Sequence, residues 1–170
     1  YLGIKGGVLE ENTSKFSGGA IYVLDKSEIK LEDVLFENNI AESEHGGAIY
    51  ISSNAQLNMV GIKFLSNKAN QKGGSIYANE RSSSTASNIL FSHNQVQNLG
   101  EGGAIFIENY GEVVLSESEF IKNSASKAGC IYLRSYGSIN LSSSFFYSNF
   151  ADKYGGSMVS DFEGNANINN

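Results

Sequence analysis

Proline is absent from this chain of 170 residues. Proline removes a backbone donor from a β-ladder, so its absence suits a chain in which most residues bond to a neighbour on either side. The single cysteine, Cys130, gives neither a disulfide framework nor a metal site. Long apolar runs are missing too. No window approaches the roughly 18 apolar residues of a membrane-spanning helix, and Tyr1-Leu2-Gly3-Ile4-Lys5-Gly6-Gly7 lacks the basic and apolar regions of a signal peptide. Basic residues are scattered through a chain of net charge −6, which argues against a nucleic-acid surface. Acidity at this level serves solubility.

What is present is repetition. Gly-Gly doublets stand at 18–19, 46–47, 73–74, 102–103 and 155–156, with Ala128-Gly129 in the one gap. Each opens a short β-prone run, as in Ala48-Ile49-Tyr50-Ile51, and each of the first five is followed by a Phe-x-x-Asn piece such as Phe64-Leu65-Ser66-Asn67. Successive second glycines lie 28, 27, 29, 26 and 27 residues apart. From second glycine to motif asparagine the distance is 20 residues in all five repeats, so the length variation falls between that asparagine and the next doublet. A body of fixed length closed by one variable loop is what stacked repeats require. The coils run approximately 1–17, 18–45, 46–72, 73–101, 102–127, 128–154 and 155–170, and are called coils 1 to 7 below. Hydrophobic content of 41 % suffices for a continuous core if the coils share it.

Positions counted from each second glycine show what faces inward. Position +2 reads Ile21, Ile49, Ile76, Ile105, Ile131, Met158, and position +4 reads Val23, Ile51, Ala78, Ile107, Leu133. Positions +10 and +12 give a second alternating pair (Ile29/Leu31, Leu57/Met59, Val113/Leu115, Ile139/Leu141), with Ser84 and Ala86 as the exception in coil 4. Alternation at period two specifies strands, and no segment sustains the helical spacing. Steps of three, from +12 to +15 and from +17 to +20, mark two bends. With the glycine bend they divide each coil into three short strands. The expected fold is an all-β, right-handed parallel β-helix, five full coils with partial coils at both ends, since crossovers between parallel strands are right-handed in about 98 % of cases. Cys130 takes the place of Ala20, Ala48, Ser75, Ala104 and Ser157, as a small packing residue.

Two columns are candidate functional features. Asn12, Asn39, Asn67, Asn94, Asn123 and Asn149 align at one bend, where stacked amides can donate and accept between coils and Asn tolerates a left-handed corner. Tyr22, Tyr50, Tyr77, Phe106 and Tyr132 align at +3, between inward neighbours, and are expected to face outward as a self-stabilising ladder or a binding stripe for sugar rings or a partner. Of two glycosylation sequons, the one at Asn12 falls in the inward ladder. Asn140, between inward Ile139 and Leu141, points outward and is the residue open to a glycan.

Gly46-Gly47-Ala48-Ile49 together with Phe64-Leu65-Ser66-Asn67 resembles the polymorphic membrane protein repeat, a parallel β-helix repeat of surface autotransporters in obligate intracellular bacteria, with related repeats in large surface proteins of protists. The resemblance covers about residues 6 to 160, with departures at Ser75, Ala128, Cys130 and Leu9. It implies an extracellular or cell-surface adhesin or stalk. The expected partners are further coils of the same chain, other subunits including end-to-end copies, and glycans. The incomplete terminal coils are expected to continue in a longer protein.

β-Helices also carry polysaccharide lyases and hydrolases, which need clustered carboxylates with or without a basic partner. Here Asp25, Asp33, Asp152 and Asp161 occupy scattered positions, Glu10-Glu11, Glu42/Glu44 and Glu117/Glu119 read as solvated charges, and His45 and His93 stand alone. Arg81 and Arg134 lie in different coils, and no calcium nonapeptide, phosphate loop or zinc spacing occurs. The expectation is a non-enzymatic segment without cofactor or metal. A carbohydrate-active β-helix, or a glycan-binding module, whose active coils lie elsewhere is the alternative.

Overall fold

The structure is a computed structural model and describes residues 2–169. It is a parallel solenoid without helices, so among the described residues none could cross a membrane as a helix. The aligned positions identified in the sequence are the paired positions of the ladders. Ile76 lies between Ile49 and Ile105, Ser84 between Leu57 and Val113, and Phe91 between Phe64 and Phe120.

Coils 3 to 6 each have four short strands, not three, and in coil 2 the middle two run on as one strand, Glu28–Glu37. In coil 3 the four are Ile49–Ile51, Gln56–Val60, Lys63–Leu65 and Lys68–Ala69. The bend the sequence did not disclose lies at +6 and +7. There Asp25-Lys26, Ser53-Asn54, Glu80-Arg81, Asn109-Tyr110 and Ser135-Tyr136 all hold positive φ. The N–H of +8 bonds to the carbonyl of +5, as from Ala55 to Ser52 at 3.1 Å. Two left-handed central residues closed by that bond make a type I′ turn. Its six-residue span preserves inward parity, so the step from +4 to +10 carries no trace of it. The bends at +14 (Asp33, Gly61, Asn88, Glu117) and +19 (Asn38, Ser66, His93, Lys122) also hold positive φ, as the odd steps required.

The two glycines of each doublet serve different ends. The first, such as Gly46 at φ 63°, takes the left-handed conformation, and Ala128 holds it at 52°. A Cβ on Gly46 would also crowd its own turn, meeting the carbonyl oxygen of Ile49. The second glycine has ordinary φ, and its space is taken by the neighbouring coil and the facing wall. A Cβ on Gly47 would collide with the carbonyl oxygen of Gly74 and the backbone of Lys68.

Inside runs one apolar core built from columns +2, +4, +10, +12, +15 and +17. Its spine is a stack of Phe36, Phe64, Phe91, Phe120 and Phe146, with ring centroids 4.7–5.0 Å apart. Cys130 is fully buried in this core, and burial pushes its thiol far above the usual range. That suits packing and not reactivity.

Candidate functional site

The asparagine column is a saturated amide ladder. Asn39, Asn67, Asn94 and Asn123 are fully buried. The backbone N–H and the side-chain Nδ2 of each residue donate to Oδ1 of the asparagine one coil on, as from Asn67 to Asn94 at 3.0 and 3.1 Å. The second Nδ2 hydrogen goes back to a carbonyl of the preceding coil, Leu9 for Asn39, Phe36 for Asn67 and Phe64 for Asn94. That carbonyl acceptor is a partner the sequence did not reveal. Asn12 belongs to the ladder, donating to Asn39 at 2.9 Å, and Asn149 completes it, bonding Phe120 and accepting from Asn123. Asn140 lies on the outer side of its strand, between buried Ile139 and Leu141.

The aromatic column lies outside the core, as its position demands, but much of it is not exposed. Tyr22 is 54 % exposed, whereas Tyr77, Phe106 and Tyr132 fall to 3 %, 0 % and 2 % and form a second apolar cluster. The rings stack face to face, 4.5 to 5.9 Å apart, from Tyr22 to Tyr132. Their faces are therefore used on one another.

What covers the stripe is a set of ion pairs reaching across it. Column −2 carries His45, Lys72, Glu101 and Lys127, joined by single backbone bridges. Column +5 carries Ser52, Asn79, Glu108, Arg134 and Asp161. Lys72 reaches over the ring of Phe106 to Glu108 at 2.7 Å, and Tyr77 donates its hydroxyl to the same carboxylate. In the next coils Arg134 reaches back to Glu101 at 3.2 Å, and Glu101 also holds Lys127 at 2.8 Å. Tyr132 donates to Asp161 at 3.1 Å. Glu101 and Glu108 are buried, and such carboxylates persist only when paired. Burial pushes the hydroxyls of Tyr77 and Tyr132 up, and Glu108 adds to the first. His45 does not stand alone but stacks on Tyr77 at 4.6 Å. Burial and the nearby Lys72 lower its affinity for a proton.

Columns −2 and +5 flank the aromatic column in register, so aligning all three would have found this network from the sequence. The other carboxylates stay apart. Glu10, Glu11, Glu42, Glu117 and Glu119 are exposed, and among the described residues no group of three His, Cys, Asp or Glu could hold a metal ion. Comparison with curated proteins and with solved structures gave no match. A family model described as a right-handed beta helix region matches residues 1–170, the whole length. With coils of about 27 residues stacked in parallel register around one core, the chain belongs to the right-handed β-helix family.

Proposed function

We propose that the chain is a rigid, non-catalytic spacer in an extracellular or cell-surface protein of the polymorphic membrane protein type, used to hold or assemble adhesive elements. The observation that carries this reading is the unbroken register of the amide and phenylalanine columns from one coil to the next. A hinge between two coils would have to open a bond in both columns and a strand pair in every wall at once, so bending is stiff. Small-angle scattering tests it. A rod of constant cross-section that lengthens by about 4.8 Å for each coil added is expected. A flexible chain of independent bodies would refute the proposal.

One observation favours a carbohydrate-active alternative, namely the acids and bases gathered on the aromatic wall around Glu108, Tyr77 and Lys72. Every one of those three is engaged with another, which weakens it as acid–base machinery. Depolymerisation of neutral or acidic polysaccharides that disappears in Glu108→Gln would establish the alternative over the spacer.

A further inference from the structure

The outward columns of the solenoid differ in kind. Along the wall of positions +9 to +13 they are mostly polar, for example Ser83, Thr85 and Ser87 in coil 4. The aromatic wall is closed by its ion pairs. The wall of positions +16 to +18 mixes apolar and charged residues and is not closed in this way. Its +16 column reads Leu35, Lys63, Leu90, Glu119 and Phe145 through coils 2 to 6, and its +18 column reads Glu37, Leu65, Ser92, Ile121 and Tyr147. Lys63 and Glu119 are exposed, and among the described residues neither makes an ion pair within the chain. Between them a shallow cleft of about 220 Å³ runs past Leu90.

The order of these residues is its own complement. We propose that a second copy of this chain docks on this wall, face to face and antiparallel, with Leu90 on the two-fold axis. Among two-fold rotations that bring two flat walls together, two in-plane axes keep the facing strands aligned, and in either case residue i pairs with j and j with i. An axis along the solenoid sets +16 against +18 of the same coil. That places Lys63 on Leu65 and Glu119 on Ile121, each charge facing an apolar side chain. An axis along the strands reverses the order of the coils and keeps the columns aligned. Centred on coil 4, it sets Lys63 against Glu119 twice, Leu65 against Ile121 twice, Leu35 against Phe145 twice and Glu37 against Tyr147 twice, where the phenol can donate to the carboxylate, with Leu90 and Ser92 each facing its own copy. Centring on coil 3 or coil 5 would oppose Lys63 to Lys63 or Glu119 to Glu119. One register therefore satisfies both charge and hydrophobicity.

The wall is three residues broad, about 10 Å, so the dimer falls at the small end of specific interfaces, where weak association is the rule. Sedimentation velocity of the whole chain, taken to about 1 mM, should show a monomer–dimer equilibrium. Lys63→Glu and Glu119→Lys should each weaken it at least tenfold, because each places like charges at both ion-pair positions. Mixing the two variants should restore dimerisation. The two introduced charges then face each other with opposite sign, while the native Lys63 of one copy meets the native Glu119 of the other. Both side chains are exposed and unpaired, so circular dichroism should be unchanged. Independently, the methyl resonances of Leu90 in the unmodified chain should shift with concentration. A monomer throughout that range, association indifferent to either reversal (as end-to-end contact would be), or no rescue on mixing overturns the proposal. It does not depend on the spacer reading: a rigid rod that stays monomeric refutes the dimer alone.

Discussion

Asn94 spends two donors on one atom of Asn123. Its backbone N–H and its side-chain Nδ2 both reach Oδ1 of Asn123, at 3.0 Å each. The same residue returns its other Nδ2 hydrogen to the Phe64 carbonyl at 2.9 Å and accepts two bonds from Asn67. Each amide is thus fully used, and a coil is tied to the coils on both sides through one side chain.

Removing that side chain strands several buried groups. In Asn94→Ala the two donors of Asn67 and the Phe64 carbonyl lose their partner, and the expected loss is about 3 kcal/mol. Asn94→Asp should be at least as damaging, because a carboxylate has the same shape but cannot donate to Asn123 or Phe64. Denaturant melts of both variants check this. An Asp variant as stable as the parent would show that shape, not hydrogen bonding, fixes the ladder.

The doublet predicts an asymmetry between adjacent glycines. Gly46→Ala should cost at least about 1–2 kcal/mol, the usual penalty for a left-handed alanine, because its Cβ also meets the Ile49 carbonyl oxygen; Ala128, at φ 52° in the equivalent position, shows that this turn can adjust to hold a Cβ. Gly47→Ala should cost at least about 3 kcal/mol, beyond ordinary overpacking, since the new Cβ meets backbone of Gly74 and Lys68. Equal melting temperatures for the two would contradict the division of roles.

Coil 4 has the thinnest core. Ser84 is buried between Leu57 and Val113, and its hydroxyl has no partner. Ser84→Ala should therefore stabilise by about 1 kcal/mol, the desolvation cost of an unsatisfied hydroxyl. Amide exchange over 83–87 should be faster than over 112–116 in the parent chain, and the difference should narrow in the variant. A destabilised variant would mean that the hydroxyl is engaged.

His45 should make stability depend on pH. Burial and Lys72 hold its folded pKa below the ordinary value of 6.5, so the unfolded chain binds the proton more readily. The contribution is fully present above about pH 6.5 and is lost as the pH falls through the folded value, where the loss levels off. Glu44 and Glu108 oppose the shift but do not reverse it. Urea melts from pH 8 to 5 should show a steeper decline for the parent than for His45→Gln. Parallel profiles would remove His45 from the account.

The sequence disclosed whatever is carried by one column. The 27-residue coil, the inward positions, the asparagine ladder and Asn12's place in it all follow from one residue type recurring at one spacing. The turn at +6 and +7 escaped because residues as different as Asp25-Lys26, Glu80-Arg81 and Asn109-Tyr110 all build it, with no shared side chain. The burial of Tyr77, Phe106 and Tyr132 escaped for another reason. It arises between columns, from Lys72 meeting Glu108 36 residues later and Glu101 meeting Arg134 33 residues later. A residue's exposure then depends on neighbours that no single spacing reveals.

The ladders run along the solenoid axis, and that direction has a mechanical consequence. Tension applied at the two ends loads the bonds of the outermost coil first and those of the next coil only after it has come away. The rod should therefore resist bending yet peel under load in discrete steps. Each released coil of about 27 residues would lengthen the molecule by about 90 Å. A spacer of this kind would give way one turn at a time, dissipating force while its remaining coils stay folded.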